Sequence, residues 1–218
     1  MSVVDSTDCD LIFYTHPWSR GRIVRWMLEE TGVPYRQVLL EYDTSMKAPD
    51  YLRINPLGKV PALMHRGTVI TETAAICAYL ADAFPEAGLA PALSDRANYY
   101  RWLFFAAGPL EAAITDRNLK VEVSAEQRRM VGYGTYEQTV DVLAQAVSAG
   151  PYLAGHRFSA ADVYVGSHVM WGLQLGTLPK RPEFEEYVAP FPQRAAFAAA
   201  HAIDDALTQG STPKVDSK

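Results

Sequence analysis

Three short stretches place side chains where chemistry is possible. The first, FYTHPWSRGR (13–22), runs an apolar segment into a His-Pro bend, then Trp18, Ser19 and a cluster of arginines. Arg20, Arg22 and Arg25 fall in the first turns of what reads as a helix, where unpaired N–H groups already carry positive partial charge. Cations there oppose helix stability, so their placement needs a reason. Ser19 stands at the junction as a natural N-cap. The second stretch, NPLGKVPAL (55–63), is ordinary loop punctuation feeding a strand, except that Pro61 removes an N–H where the strand begins. A cis Val60–Pro61 bond would turn the Val60 backbone outward, ready to pair with an extended peptide. The third is Thr71-Glu72-Thr73. A threonine cap with an acidic neighbour is good helix chemistry by itself. The free N–H groups and a hydroxyl there also suit a carboxylate, and Glu72 suits an ammonium, so the position fits an amino-acid head group.

These stretches need elements to hold them. LIFYTH (11–16) reads as a buried strand and RIVRWMLEETG (22–32) as a helix with Ile23, Trp26, Met27 and Glu30 on one stripe. Gly32 then supplies a C-terminal cap. RQVLLE (36–41) is a short strand, and a polar stretch with Pro49 and Pro56 leaves room for one turn of helix. PALMHRGTVIT (61–71) reads as a hairpin turning at Arg66-Gly67, followed by a helix to residue 84 that stops at Pro85. The order β-α-β then ββα makes a small α/β unit. After residue 85 the strand signals end. A long helix or helix pair is expected over 95–119 with a kink at Pro109, and a helix over 124–150 from a Ser124–Gln127 capping box. FSAADVYVGSHVMWGLQL (158–175) predicts a helix capped by Ser159 and Asp162; a Pro-rich connector (179–192) and a last helix ending near Leu207 follow. The domains expected are 1–85 and 86–218, with the final ten or so residues disordered.

Composition narrows the function classes. A net charge of −5 argues against general nucleic-acid affinity, and no apolar run reaches the length of a membrane span. The acidic N-terminus lacks a signal peptide's basic and apolar regions, and two cysteines, Cys9 and Cys77, make no disulfide framework; both favour a cytoplasmic protein. His16, His65, His156, His168 and His201 are scattered without metal-ligand spacing, so no metal is expected. Cys77 lies on an apolar helical stretch and should be inert. Tyr99, Tyr100, Trp102, Phe104 and Phe105 mark an aromatic-rich helix, mostly core by their spacing, and Trp171 also reads as core.

Taken together and in order, a Ser-bearing strand-to-helix turn, N-P-x-G-K-V-P-A-L, a short hairpin with E-T-A-A-I, and FSAADVYVG resemble the cytosolic glutathione transferase superfamily. The likeness covers nearly the whole chain. It implies a thioredoxin-like domain followed by an all-helical one, a homodimer, and glutathione as co-substrate. It implies a cis-Pro at 61, Val60 pairing the cysteinyl backbone of glutathione, and Glu72 and Thr73 holding the γ-glutamyl end. Thr73 stands where most classes carry Ser and keeps the hydroxyl; Lys59 is the candidate for the glycyl carboxylate.

The resemblance also places the residue beside the glutathione sulfur at the 18–20 turn. A thiol with pKa near 8.5 is mostly protonated at neutral pH. A hydroxyl donating to sulfur and a helix N-terminus both favour the thiolate. Ser19 is therefore the candidate activator, with Thr15 and Arg20 as alternatives and a simple cap as the competing role. The arginines would add positive potential at such an anion site; which of them face it and which are merely solvated the sequence leaves open. Trp18 and Phe105 are the candidates for the acceptor-substrate pocket, and His16 is either a base or a packed strand-end residue. The leading expectation is attack by glutathione thiolate on an electrophilic, mostly apolar small molecule. Glutathione-dependent disulfide or peroxide reduction, isomerisation, and a non-enzymatic binding protein are the alternatives. Trp18-Ser19-Arg20 does not match the Ser-Ser-Cys turn of zeta-type isomerases.

Overall fold

The protein was analysed as a computed structural model that describes residues 10–209. The expectations on Cys9, the acidic N-terminus and residues 210–218 of the tail lie outside the described residues. The first unit is built on a four-stranded mixed sheet in the order β2-β1-β3-β4: Leu11–Thr15 (β1), Arg36–Leu39 (β2), Ala62–His65 (β3) and Thr68–Ile70 (β4). β1 and β2 run parallel, while β3 lies antiparallel to both β1 and β4. A parallel pair needs a crossover, and Gly21–Thr31 (α1) supplies it. Gly32 closes that helix in the left-handed region (φ 68°), its N–H donating to Leu28 O at 3.1 Å. The β3–β4 turn carries Arg66 and Gly67 at φ 51° and 77°, as the two central positions of a type I′ hairpin require. Pro49–Leu52 (α2) follows a 3₁₀ turn, and Thr73–Ala83 (α3) closes the α/β order.

Side-chain alternation assigns the two sheet faces. Tyr14 and Ala62 form a buried cluster with Leu40, Met46 and Tyr51, and Ile12, Val38 and Met64 pack against it. Phe13 and Leu63 point the other way and are fully buried. The expected α1 stripe holds: Ile23, Trp26 and Met27 are buried, and Glu30 accepts from Trp26 Nε1 at 2.8 Å.

The second unit, Ala81–Gln193, is helical. Ala97–Phe105 (α4) passes through a π-helical stretch, Ala106–Leu110, into Glu111–Asn118 (α5), with Pro109 inside the distortion as expected. Tyr136–Ser148 (α6), Ala160–Leu175 (α7) and Pro182–Val188 (α8) complete it. α7 is buried along most of its length; a Cβ on Gly166 would meet the Phe191 ring at 2.5 Å, so that helix needs glycine there.

Two expectations fail here. The helix expected from Ser124 begins only at Thr135, whose hydroxyl caps Gln138 N–H. Ser124 and Gln127 do exchange side-chain bonds (3.1 and 3.4 Å), but only over turns. The segment after them is polar, has no apolar stripe to bury, and meets Gly132 and then Gly134 at φ 70°. Conversely, the Pro-rich connector folds into α8, because Pro182 sits in the first turn where its missing N–H costs nothing.

The last helix, Ala195–Thr208 (α9), packs along α1. By contacts, the first unit comprises the chain up to Leu80 together with the segment from Arg194 onward. The sequence reading drew a single cut near residue 85; the contacts return α9 to the α/β unit. Apolar packing and buried charge both tie α9 to α1: Phe197 lies edge-on to Trp26 at 4.9 Å, and Ala200 is buried. Arg25, buried to 1% exposure, donates to Asp204 at 2.8 Å and also bonds the Tyr35 hydroxyl and Gln37. Burial raises the Asp204 carboxyl, with the Arg25 guanidinium pulling it back down. Arg194 grips Glu30 with two bonds (2.6 and 2.7 Å).

Candidate active site at the end of the sheet

The strand register gathers the three stretches at one end of the sheet. Tyr14 pairs Ala62 and Leu63 pairs Ile70. The turn after β1, the Val60–Pro61 entry to β3 and the Thr71-Glu72-Thr73 exit from β4 therefore share one edge. It is also the carboxyl end of the parallel pair, where α/β sheets bind ligands.

The β1–α1 turn is closely bonded. The Ser19 hydroxyl donates to the His16 carbonyl at 2.6 Å and accepts from Gly21 N–H at 3.0 Å. Ser19 thus caps the helix start, and its proton is held by a carbonyl. Trp18 N–H donates to His16 Nδ1 at 3.1 Å, which fixes His16 as the tautomer protonated on Nε2. Glu41 lies 3.6 Å from that Nε2. His16 is buried, so the structure places it as a packed turn residue. Thr15 is also fully buried, and its hydroxyl has no hydrogen-bond partner. A Cβ at Gly21 would fall 2.0 Å from Thr15 Oγ1, so glycine lets the helix start rest on the strand end.

The arginines divide. Arg20 is exposed and close enough to Tyr42 to pull its phenol downward against the upward push of burial. Arg22 donates through Nε to the Pro17 carbonyl and through Nη2 to Asp205, each at 2.7 Å. Arg25 is committed to Asp204. Of the arginines whose facing the sequence leaves open, Arg22 and Arg25 are each neutralised by a carboxylate of α9, so neither is free site charge nor merely solvated.

The second stretch keeps its expected form; the third does not, because α3 begins at Thr73 and leaves Glu72 outside the first turn, where the sequence predicts Thr71 capping an acidic first-turn residue. Val60–Pro61 is cis. The loop before it is pinned by Asn55 of the motif and by two residues the sequence did not single out: Asn55 Nδ2 (2.8 Å) and the Tyr51 hydroxyl (2.5 Å) both donate to Lys59 O, and Lys47 Nζ to Gly58 O (2.9 Å). The Lys59 side chain is exposed. Glu72 is exposed at φ 65°, an uncommon conformation for a residue with a Cβ, and Thr73 is buried at the first position of α3. Trp18 and Tyr42 are each 49% exposed beside the turn, with the Tyr42 hydroxyl donating to Trp18 O at 3.0 Å. Tyr42 left no signal in the sequence, since its partner is a backbone carbonyl.

In the helical unit, Phe105 is half-buried, edge-on to Trp102 at 5.5 Å. Tyr99 and Trp102 are core, whereas Phe104 is 71% exposed. Trp171 is half-buried rather than core. Cys77 is buried, and burial pushes its thiol far up. Ser159 and Asp162 form the expected reciprocal cap. Among the described residues no cluster of His, Cys, Asp or Glu is arranged to hold a metal, and no helix is long and apolar enough to cross a membrane.

Comparison with known proteins agrees with this geometry. The family model for the glutathione S-transferase N-terminal domain matches residues 17–83. Glutathione S-transferase GstA of Escherichia coli O157:H7 is 30% identical over 73% of this chain and 77% of its own. A Pasteurella multocida homologue of stringent starvation protein A is 26% identical over 69% and 68% of the two chains. A solved glutathione transferase homologue from Sulfitobacter with bound glutathione superposes with a TM-score of 0.71 at 28% identity, covering 88% of this chain and 97% of that one. With its thioredoxin-like sheet and its helical region, the chain belongs to the cytosolic glutathione transferase superfamily.

Proposed function

We propose that the protein is a glutathione transferase, which activates the glutathione thiol for attack on an electrophilic, mostly apolar small molecule. One observation carries the reading: the Ser19 turn, cis-Pro61 and the Glu72–Thr73 helix start converge at the carboxyl end of β1. Val60 pairs the cysteinyl backbone, Glu72 and Thr73 take the γ-glutamyl amine and carboxylate, and Lys59 reaches the glycyl carboxylate. Sulfur then falls at the α1 N-terminus, which has no acidic residue in its first turn. The helix start and Ser19 favour thiolate there. Catalysis follows from positioning and from charge stabilisation at that sulfur. Trp18 offers an aromatic wall to the acceptor. The protein works as a cytoplasmic homodimer.

Ser19 must release the His16 carbonyl to donate to sulfur. That bond favours a second reading, in which the chain binds glutathione without turning it over. Calorimetry with glutathione, followed by turnover of a haloaromatic, a hydroperoxide and a mixed disulfide, separates the two. Conjugation of the haloaromatic supports the transferase, and reduction of either other substrate moves the reading to a reductase. Binding without turnover leaves the second reading, and no binding removes both.

A further inference from the structure

We infer that Arg22 is a positioning residue through which the C-terminal helix α9 holds the Ser19 turn in place. The inference rests on the transferase reading for its kinetic consequence but not for its structural one. A single planar guanidinium spans two partners far apart in sequence. Nε donates to the Pro17 carbonyl inside the turn, and Nη2 donates to Asp205 on α9, both at 2.7 Å. The fork of an arginine fixes both directions at once, which a lysine cannot do.

The Asp205 side chain is 61% exposed, but the helix that carries it is anchored. The residue before Asp205, Asp204, is the buried partner of Arg25, each 1% exposed. Arg194 grips Glu30 at the other end of α9, and Phe197 packs edge-on to Trp26 at 4.9 Å. These anchors fix α9 along α1 independently of Arg22, so Asp205 is a fixed post for the guanidinium. The turn's other bonds are local: Ser19 to His16, Trp18 to His16, and Gly21 to Ser19. Tyr42 on Trp18 O and on the His16 ring, and Glu41 near His16 Nε2, tie the turn to the segment after β2; the Arg22 bridge ties it to α9. It also accounts for cations where a helix start disfavours them, because α9 supplies the compensating carboxylates.

The test uses the full chain and three variants, Arg22→Gln, Arg22→Lys and Asp205→Asn. Amide exchange of residues 16–21 is followed without ligand, and kcat and KM for glutathione and a haloaromatic are measured against pH. The inference expects faster exchange in that segment for all three, while core amides of β1 and β3 keep wild-type protection. It expects kcat to fall about tenfold in Arg22→Gln through misplacement of the turn, with a smaller change in glutathione KM. The pH dependence of kcat/KM should shift upward toward that of the free thiol. Arg22→Lys should not restore the wild-type values, because charge alone is not the device. Wild-type exchange and a wild-type pH profile in folded Arg22→Gln and Asp205→Asn would overturn the inference while leaving the transferase reading intact. Should the wild type show no turnover, the exchange measurement alone decides the inference, and the loss falls on the transferase reading.

Discussion

Two serines begin two helices in this chain, and the third residue after each decides what the helix start is for. At α7 the sequence is Ser159-Ala160-Ala161-Asp162; at α1 it is Ser19-Arg20-Gly21-Arg22. Asp162 closes its own helix: its carboxylate accepts from Ser159 N–H, the Ser159 hydroxyl, Leu153 N–H and the Tyr187 hydroxyl, at 2.9–3.0 Å. At α1 the matching position is a cation that turns away toward Pro17 and Asp205, and no acidic side chain occupies the first turn. One helix start carries the chain's own anion, while the other carries no anion in its first turn. On the proposed reading, that difference suits α7 to stability and α1 to an anion from outside.

Substitutions can break this contrast. The largest expected effect is Arg25→Ala, which strands buried Asp204 and costs about 3–5 kcal/mol in denaturant unfolding. It shows that the α1 start depends on counter-charge from α9; a loss below about 1 kcal/mol contradicts that. Asp162→Ala should cost about 3 kcal/mol, since two N–H and two O–H donors lose one acceptor, with little effect on glutathione binding. Ser19→Ala should reverse the pattern. Stability drops by about 1 kcal/mol, as for an ordinary cap, but turnover falls roughly a hundredfold, as when one donor to a developing anion is removed. Ser159→Ala should cost similar stability with unchanged turnover per folded molecule.

The smallest expected effect is a pH slope. Burial raises the Asp162 carboxyl above its unfolded value, so the folded state binds its proton more readily. Asp162 therefore makes stability fall as pH rises from about 3.9 through the raised value, then level off above it. Asp162→Asn should remove that contribution, which unfolding measured across the acid range would reveal.

Much of this was legible in the chain because the local signals agree. The apolar run of β1, the Gly32 cap, the Arg66-Gly67 turn and the Ser159 box each specify one conformation, and each appears as read. Other features depended on partners distant in sequence. Nothing near Arg25 reveals that its carboxylate lies at residue 204, so the sequence leaves open which arginines face the site, and two of them prove structural. The Ser124 box is locally sound, but the segment lacks an apolar face to bury, and tertiary packing did not extend it into helix. At the candidate site, the three stretches could be named from their residue types. The direction of the Ser19 hydroxyl, the clamp by Tyr42 and the burial of Thr15 depend on atoms whose positions only the folded chain fixes.

The central claim is that the open helix start at Ser19 ionises a glutathione thiol. The most direct measurement is thiolate absorbance of bound glutathione against pH, in the wild type and in Ser19→Ala. The account predicts that the bound thiol ionises clearly below its free value of about 8.5 and returns toward it when the hydroxyl is removed. Identical titration of the two proteins, or a bound thiol that titrates like free glutathione, would contradict it.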